Sequence, residues 1–425
     1  MEKQEAFSIN SVVISLIALS QGFLSLSDLS LNYLYKDDFS LSPAKVSMLA
    51  SLTNIPWIIK PLWGFISDCY PILGKRRSPY LVIFGILGCM CWISMGTFVD
   101  STTSCLLIMM LIQISVCFCN VIAEALVVEE SQKTKHDQKQ ASKFVTLFFG
   151  VRSLGTVLTA YTGGLLLEII DKRSVFLITA CFPLFLLFSA YALEEPKFDE
   201  SPKIQEQLLQ IYNFISRKDI YIPVLFILLF TATPSCGDAM FFYYTNHLKF
   251  EPEFMGRMKM TFGVGSIIAM TIYNKFLQEI EFKVIMITTT VICAMISMSQ
   301  LLLVTRLNSA IGIPDELFAV FCTFIVQFTA ELNMLPLLVL CCRICPKNIE
   351  GCLYALLMST MNLGSMFSSQ TGGLLMLALG ITQTNFKYLW ALILITSLIM
   401  IAPLPMLALI PDFYKSEDKK GYELV

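Results

Sequence analysis

The chain has 425 residues, 56% of them hydrophobic and 15% charged, with a formal net charge of −2 and a mean hydropathy of +0.69. That is far more apolar than the core of a water-soluble fold requires, so the composition excludes an ordinary soluble protein and predicts an integral membrane protein. The 14 cysteines fall mostly inside apolar runs, Cys342 and Cys345 form an isolated CxxC, and two histidines are too few for a metal centre, so neither a metal nor a redox cofactor is expected.

Apolar runs of about 20 residues, each long enough to cross a bilayer as a helix, begin near residues 9, 44, 79, 104, 142, 173, 220, 254, 284, 315, 350 and 386. The expectation is therefore an all-α protein of twelve transmembrane helices. Only 194–219, "EEPKFDESPKIQEQLLQIYNFISRKD", reads as a longer polar linker, and it divides the chain into two six-helix halves, 1–193 and 220–425. When the loops are assigned alternately to two sides, most of the 30 Lys and Arg fall on the side that holds both termini. The positive-inside rule then puts both termini and the linker in the cytosol. The opening "MEKQEAF" reads as no removable address, which makes the plasma membrane the expected location.

Ionisable side chains inside spans are costly when they face lipid and normally turn toward a cavity or a partner. In chain order they are Asp28 in span one, Lys60 in span two, Glu124 in span four, Arg152 in span five, Asp238 in span seven and Glu331 in span ten. Lys60 lies near the end of its span and is expected to snorkel to the interface. Arg152 lies about ten residues into span five, roughly 15 Å deep at the helical rise, and stays charged there. It needs an anion, supplied either by Glu124 in the preceding span or by a solute. Asp28, Asp238 and Glu331 are the carboxylates placed to exchange a proton between two states. The aromatic residues Phe148 and Phe149, and the run Phe241 to Tyr244, either stack on a flat solute or pack in the core; four consecutive residues point all round a helix, so at most two of that run face one cavity.

Two stretches repeat. "RSLGTVLTAYTGGLL" from Arg152 returns as "MNLGSMFSSQTGGLL" from Met361, an offset of 209, so Gly155, Gly163 and Gly164 match Gly364, Gly372 and Gly373. "SLSDLSLNYLY" before Pro43 resembles "PSCGDAMFFYY" before Pro252, and pairing their aspartates matches Asp28 with Asp238 at an offset of 210. Two repeated six-helix halves are the architecture of the major facilitator fold, in which the solute site lies between the halves. Small residues at these positions let helix backbones approach closely.

The stretch 54–80, "NIPWIIKPLWGFISDCYPILGKRRSPY", contains Gly64-x-x-x-Asp68 followed by Gly74-Lys75-Arg76-Arg77. It is similar to the signature loop of the major facilitator superfamily, and the resemblance implies that Gly64 permits close helix approach while Asp68, Arg76 and Arg77 form a charge lock that gates one face. The variant with Pro56-Trp57, Lys60-Pro61 and "RRSPY" resembles the folate–biopterin transporter family. "YKDDFSLSPAKV", "NVIAEALVVEES", "PSCGDAMFFYYTNHLKFEPEF" and "MLPLLVLCCRICPKNIEGCLYALLMSTMNLG" are similar to that family's blocks over nearly the whole chain. The sequence departs from the family in span four, where Asn120 and Glu124 stand in place of aspartates.

The resemblance implies a secondary active transporter of folates, pterins or a related solute, with protons as the candidate coupling ion; the ionisable residues inside spans other than Lys60, namely Arg152, Glu124, Asp28, Asp238 and Glu331, are the candidate solute-binding set. A carboxylate accepts the adjacent N–H donors of a pterin, and an arginine fork holds a glutamyl carboxylate. Carriage of S-adenosylmethionine, or a receptor or scaffold that keeps the fold and moves nothing, are the alternatives. No P-loop, G-x-S-x-G or metal-spaced cluster occurs, so an enzyme is not expected. The basic residues lie in short loops at a membrane face and suggest no nucleic-acid partner.

Overall fold

The computed structural model describes residues 9–133, 138–193, 195, 218–277, 280–344 and 350–410. The expected linker, apart from Glu195, Lys218 and Asp219, lies outside the described residues, as do both termini and Cys345. Among the described residues all the named regular elements are helices. Among the described residues, seven are long and apolar enough to cross a membrane: Asn10–Asp38, Ser78–Thr97, Thr102–Val127, Lys172–Ala192, Phe282–Val304, Asp315–Leu338 and Leu389–Leu409. The Ser78–Thr97 helix shows why they suit a bilayer. Leu81, Trp92 and Met95 are buried against protein, while Ile83, Ile86, Met90 and Ile93 are exposed on other sides, so the helix is apolar all round.

The chain divides into two compact units, Met1–Ile204 with Gly237–Val264 and Ile381–Phe386, and Gln205–Cys236 with Gly265–Gly380 and Lys387–Val425. In the first unit, Phe118 stacks on Phe84 and Tyr80 with ring centroids 4.3 and 5.0 Å away, inside a core that joins the Ile9–Phe23, Ser78–Thr97, Thr102–Lys133 and Leu184–Ala192 helices. In the second, Phe226, Ile227, Met286, Leu337 and Leu357 centre the core.

Residues 237–264 sort with the first unit for a visible reason. A methyl group on Gly164 would lie 2.8 Å from the Gly256 Cα and 2.5 Å from the Pro252 carbonyl oxygen, so the Gln138–Ile169 and Pro252–Ile272 helices touch backbone to backbone. Lys36 Nζ also donates to Asn246 Oδ1 at 3.0 Å.

The repeat is written into the backbone at one offset. The six-residue Asp28–Tyr33 helix runs into a π-turn, Leu34–Asp38; Gly237–Phe242 runs into Tyr243–His247. Phe39 N–H donates to the Leu34 carbonyl at 3.1 Å and Leu248 N–H to that of Tyr243 at 3.0 Å, after which Ser40 and Lys249 take left-handed φ of 49° and 61°. Both reversals then enter a helix with proline at its first position, Pro43 and Pro252. A methyl on Gly163 would sit 2.7 Å from the Leu26 carbonyl oxygen, and one on Gly372 would run into the carbonyl of Ser235. All these pairs are 209 residues apart. The alignment of Asp28 with Asp238 is therefore corrected by one residue: Asp28 stands opposite Gly237, and Asp238 opposite Leu29. A match of chemical type outweighed the register set by the turn.

Candidate functional site

The second apolar run is a broken helix. Pro56 and Pro61 lack the N–H that continues a helical ladder, and residues 43–69 form three pieces, Pro43–Leu52, Ile55–Ile58 and Lys60–Cys69. The Pro56 carbonyl is satisfied from outside the ladder, by the Trp63 indole N–H at 2.9 Å and the Cys117 thiol at 3.4 Å. The break sets Lys60 at the head of the third piece with its side chain 5% exposed, and its ammonium lies 2.8 Å from each carboxylate oxygen of Glu124. The snorkelling expectation for Lys60 is thus overturned. A buried ammonium requires a counter-ion, and Glu124 supplies it.

Asn120 and Glu124 stand one turn apart on the Thr102–Lys133 helix, and the Asn120 amide donates to Glu124 Oε1 at 2.8 Å. That fixes the amide's orientation and leaves Asn120 Oδ1 buried without a hydrogen-bond donor. Trp57 closes the other side, its indole N–H donating to Gln113 Oε1 at 2.9 Å and its ring centroid 5.7 Å from the Lys60 ammonium. Arg152, on the Gln138–Ile169 helix, is acted on electrostatically by the same Glu124, but the ion pair goes to Lys60. Glu124 as the dedicated partner of Arg152 is therefore corrected. Lys60 holds the carboxylate and Arg152 lies within its electrostatic reach, so among the described residues the group carries one surplus positive charge. Glu124 is one-third exposed, so the cluster is open on its carboxylate side.

The other expected site residues lie elsewhere. Asp28 is half-exposed and takes Lys259 Nζ at 2.8 Å. Lys259 was missed by the sequence reading although an ionisable residue in the apolar run from residue 254 meets the same criterion as the others. Asp238 shares a hydrogen bond with Ser47 on the Pro43–Leu52 helix. Glu331 belongs to the second unit, where Ser266 Oγ and Gln327 Nε2 both approach Oε2 at 3.3 Å. The aromatic run is largely core: Phe242, Tyr243 and Tyr244 are buried, with Tyr243 stacked on His247 and Tyr244 on Phe250. Phe148 is buried too, whereas Phe149 is exposed.

In the 54–80 stretch, Ile72 and Lys75 exchange both backbone hydrogen bonds, and Leu73 and Gly74 take φ of 54° and 75°, the two left-handed positions of a tight reversal. The Glu195 carboxylate accepts the backbone N–H groups of Arg76, Arg77 and Ser78 at 2.8, 3.1 and 3.1 Å where the Ser78–Thr97 helix starts. Glu195 was read only as linker composition. Gly64 does not mark a close approach, because a methyl there would meet Val121 at an ordinary 3.7 Å.

The BT1 family profile matches residues 21–424. A folate–biopterin transporter of Synechocystis is 38% identical over 394 residues, spanning 92% of this chain and 79% of that one. Folate transporter 1 of Plasmodium falciparum is 34% identical over 404 residues, spanning 95% and 80%. Among solved structures, a D-xylose–proton symporter is similar with a TM-score of 0.70 at 16% identity over 96% of this chain and 99% of that one. The nucleoside transporter NupG is similar with a TM-score of 0.72 at 12% identity, over 94% and 98%. Likeness at such low identity speaks for the fold alone: an all-α, multi-pass membrane fold of the major facilitator kind.

Proposed function

The chain belongs to the BT1 family, the folate–biopterin transporters, and from that premise we propose that the solute it moves is a folate or a pterin. It is a multi-pass membrane protein and a secondary active transporter of a small organic solute that works by alternating access; its family and fold are those of carriers rather than catalysts.

The observation that carries the choice of solute is the Lys60–Glu124–Arg152 group. Its surplus positive charge suits a solute that brings a carboxylate, and the unused Asn120 Oδ1 suits one that brings an N–H donor. A glutamylated pterin brings both. A sulfonium carrying net positive charge, such as S-adenosylmethionine, would meet like charge. Asp28, Asp238 and Glu331 complete the proposed solute-binding set, and Gly64, Asp68, Arg76 and Arg77 the proposed gate.

The finer architecture is part of the same reading: twelve spans in two six-helix repeats, 1–193 and 220–425, joined by the 194–219 linker. Its support is the single offset of 209 and the helices that also run through 138–169, 252–272 and 350–378. Those helices carry the polar residues and glycines that a solute path requires, which lowers their hydropathy. The distribution of Lys and Arg supports a cytosolic side for both termini, and the plasma membrane is the location to be checked by surface labelling.

The deciding experiment is uptake of labelled folic acid, 5-methyltetrahydrofolate, biopterin, p-aminobenzoate and S-adenosylmethionine by cells expressing the chain. Folate or pterin accumulation above that of untransfected cells is the expected result; none for any pterin or folate would end this reading.

A further inference from the structure

The charges around Glu124 can be counted from the elements that pack against it. Among the described side chains, the Lys60–Cys69 helix brings Lys60 and the Gln138–Ile169 helix brings Arg152 to bear on Glu124, while Glu124's own helix brings the thiol of Cys117 about two turns away. The Ile9–Phe23 and Ser78–Thr97 helices contribute no Asp, Glu, Lys, Arg or His. Tyr80 on the latter is turned away, its hydroxyl donating to the Tyr70 carbonyl at 2.6 Å. Among the described residues, the group therefore holds two cations and one carboxylate.

A solute with one carboxylate neutralises that group as it stands. A solute with two, such as a pterin carrying a glutamyl tail, leaves it one negative charge in excess unless Glu124 takes up a proton. Resting on the reading above, we propose that Glu124 is the proton carrier for dicarboxylate solutes: it pairs with Lys60 when the site is empty, and on loading it is protonated and cedes Lys60 to the second carboxylate of the solute. The balance closes, with Lys60 and Arg152 at +2, the solute at −2 and Glu124 neutral. The proton enters with the solute on one side and leaves with it on the other, so that one proton moves with each dianion and the return of the empty carrier restores the Lys60–Glu124 pair.

The geometry distinguishes Glu124 from the other three carboxylates. Among the described residues, Asp28 pairs with one cation, Lys259, with no second to leave over. Asp238 meets a hydroxyl, and Glu331 a hydroxyl and an amide, so their protonation frees no positive charge for a solute. Of these four carboxylates, Glu124 alone holds a buried cation that a solute anion can inherit, and its one-third exposure gives a proton a way in.

The test uses the full chain in proteoliposomes, with folic acid as the dianion, pteroic acid as the monoanion and biopterin as the uncharged probe, and proton movement followed with an entrapped pH dye. The wild-type protein is expected to carry folate faster as the pH on the loading side falls from about 8 to 5.5 and to move protons with it, with little such dependence for biopterin. Glu124→Gln, fixed in the neutral form, is expected to carry folate without that slope and without proton movement, while Asp238→Asn and Glu331→Gln keep the slope. Lys60→Met is expected to weaken folate by about tenfold or more while pteroate changes far less. The proposal is overturned, with the folate reading intact, if wild-type folate uptake ignores pH, if Glu124→Gln keeps both slope and proton movement, or if the slope is lost in Glu331→Gln or Asp238→Asn instead. If Glu124→Gln does not fold, Lys60→Met decides, and equal loss of folate and pteroate overturns the proposal. A wild-type protein that carries no folate or pterin overturns both readings.

Discussion

Lys60 and Glu124, 64 residues apart, meet as a two-pronged ion pair with the ammonium 2.8 Å from each carboxylate oxygen. Neither residue is placed there by its own helix alone. The proline-broken ladder before Lys60 sets the lysine inward, and the helix carrying Asn120 sets the carboxylate.

Removing one partner should cost more than removing both. Glu124→Gln leaves the Lys60 ammonium buried without a counter-ion and should destabilise the protein by about 3–5 kcal/mol; Lys60→Met should cost less, because Glu124 is one-third exposed and keeps Asn120. The double variant should recover at least half of the larger loss. Thermal unfolding in detergent, arranged as a double-mutant cycle, measures this, and additive losses would show that the pair is not coupled.

Two glycines of similar standing in the sequence should behave in opposite ways. Gly164→Ala puts a methyl against the Pro252 carbonyl and the Gly256 Cα and should cost about 1–3 kcal/mol by overpacking. Gly64→Ala meets open van der Waals contact at 3.7 Å and should be neutral, or stabilising by up to about 1 kcal/mol because alanine is the better helix former. The fraction of monodisperse protein after a heat step reads both.

Arg152→Met copies the residue of the second repeat. It removes the surplus charge and should abolish folate uptake while sparing biopterin; Arg152→Lys keeps the charge, loses the planar fork, and should weaken folate more than biopterin. Kinetics of both solutes, with surface labelling to confirm location, decide the matter. Normal folate uptake by Arg152→Met would remove Arg152 from the site.

Asp171 caps the Lys172–Thr179 helix, accepting the Arg173 N–H at 3.2 Å and the Ser174 hydroxyl, and chiefly that hydroxyl holds its carboxyl below the usual range. A depressed folded-state value means that the stabilisation is present above the unfolded pKa, about 3.9, and is lost as the pH falls through the folded one. Because the residue is exposed, Asp171→Ala should cost only about 0.5–1 kcal/mol at pH 7. The difference from wild type should be constant from about pH 7 to 5 and shrink below about pH 4. Urea midpoints across that range test it.

Composition and hydropathy alone determined that the chain is helical and lies in a membrane, because burial in lipid demands apolar runs of a set length whatever they pack against. The recurrence of the Thr-Gly-Gly stretch was legible too, since a close backbone approach admits few other residues. Which glycine makes such an approach was not: Gly64 and Gly164 read alike, and only the neighbour across the gap separates them. The same holds for charge. Lys60, Glu124 and Arg152 each announced themselves as costly residues in apolar runs, but a sequence states no distances. The allocation of one carboxylate between two cations was decided by the proline break that turns Lys60 inward and by the packing of the helices that carry Lys60, Glu124 and Arg152.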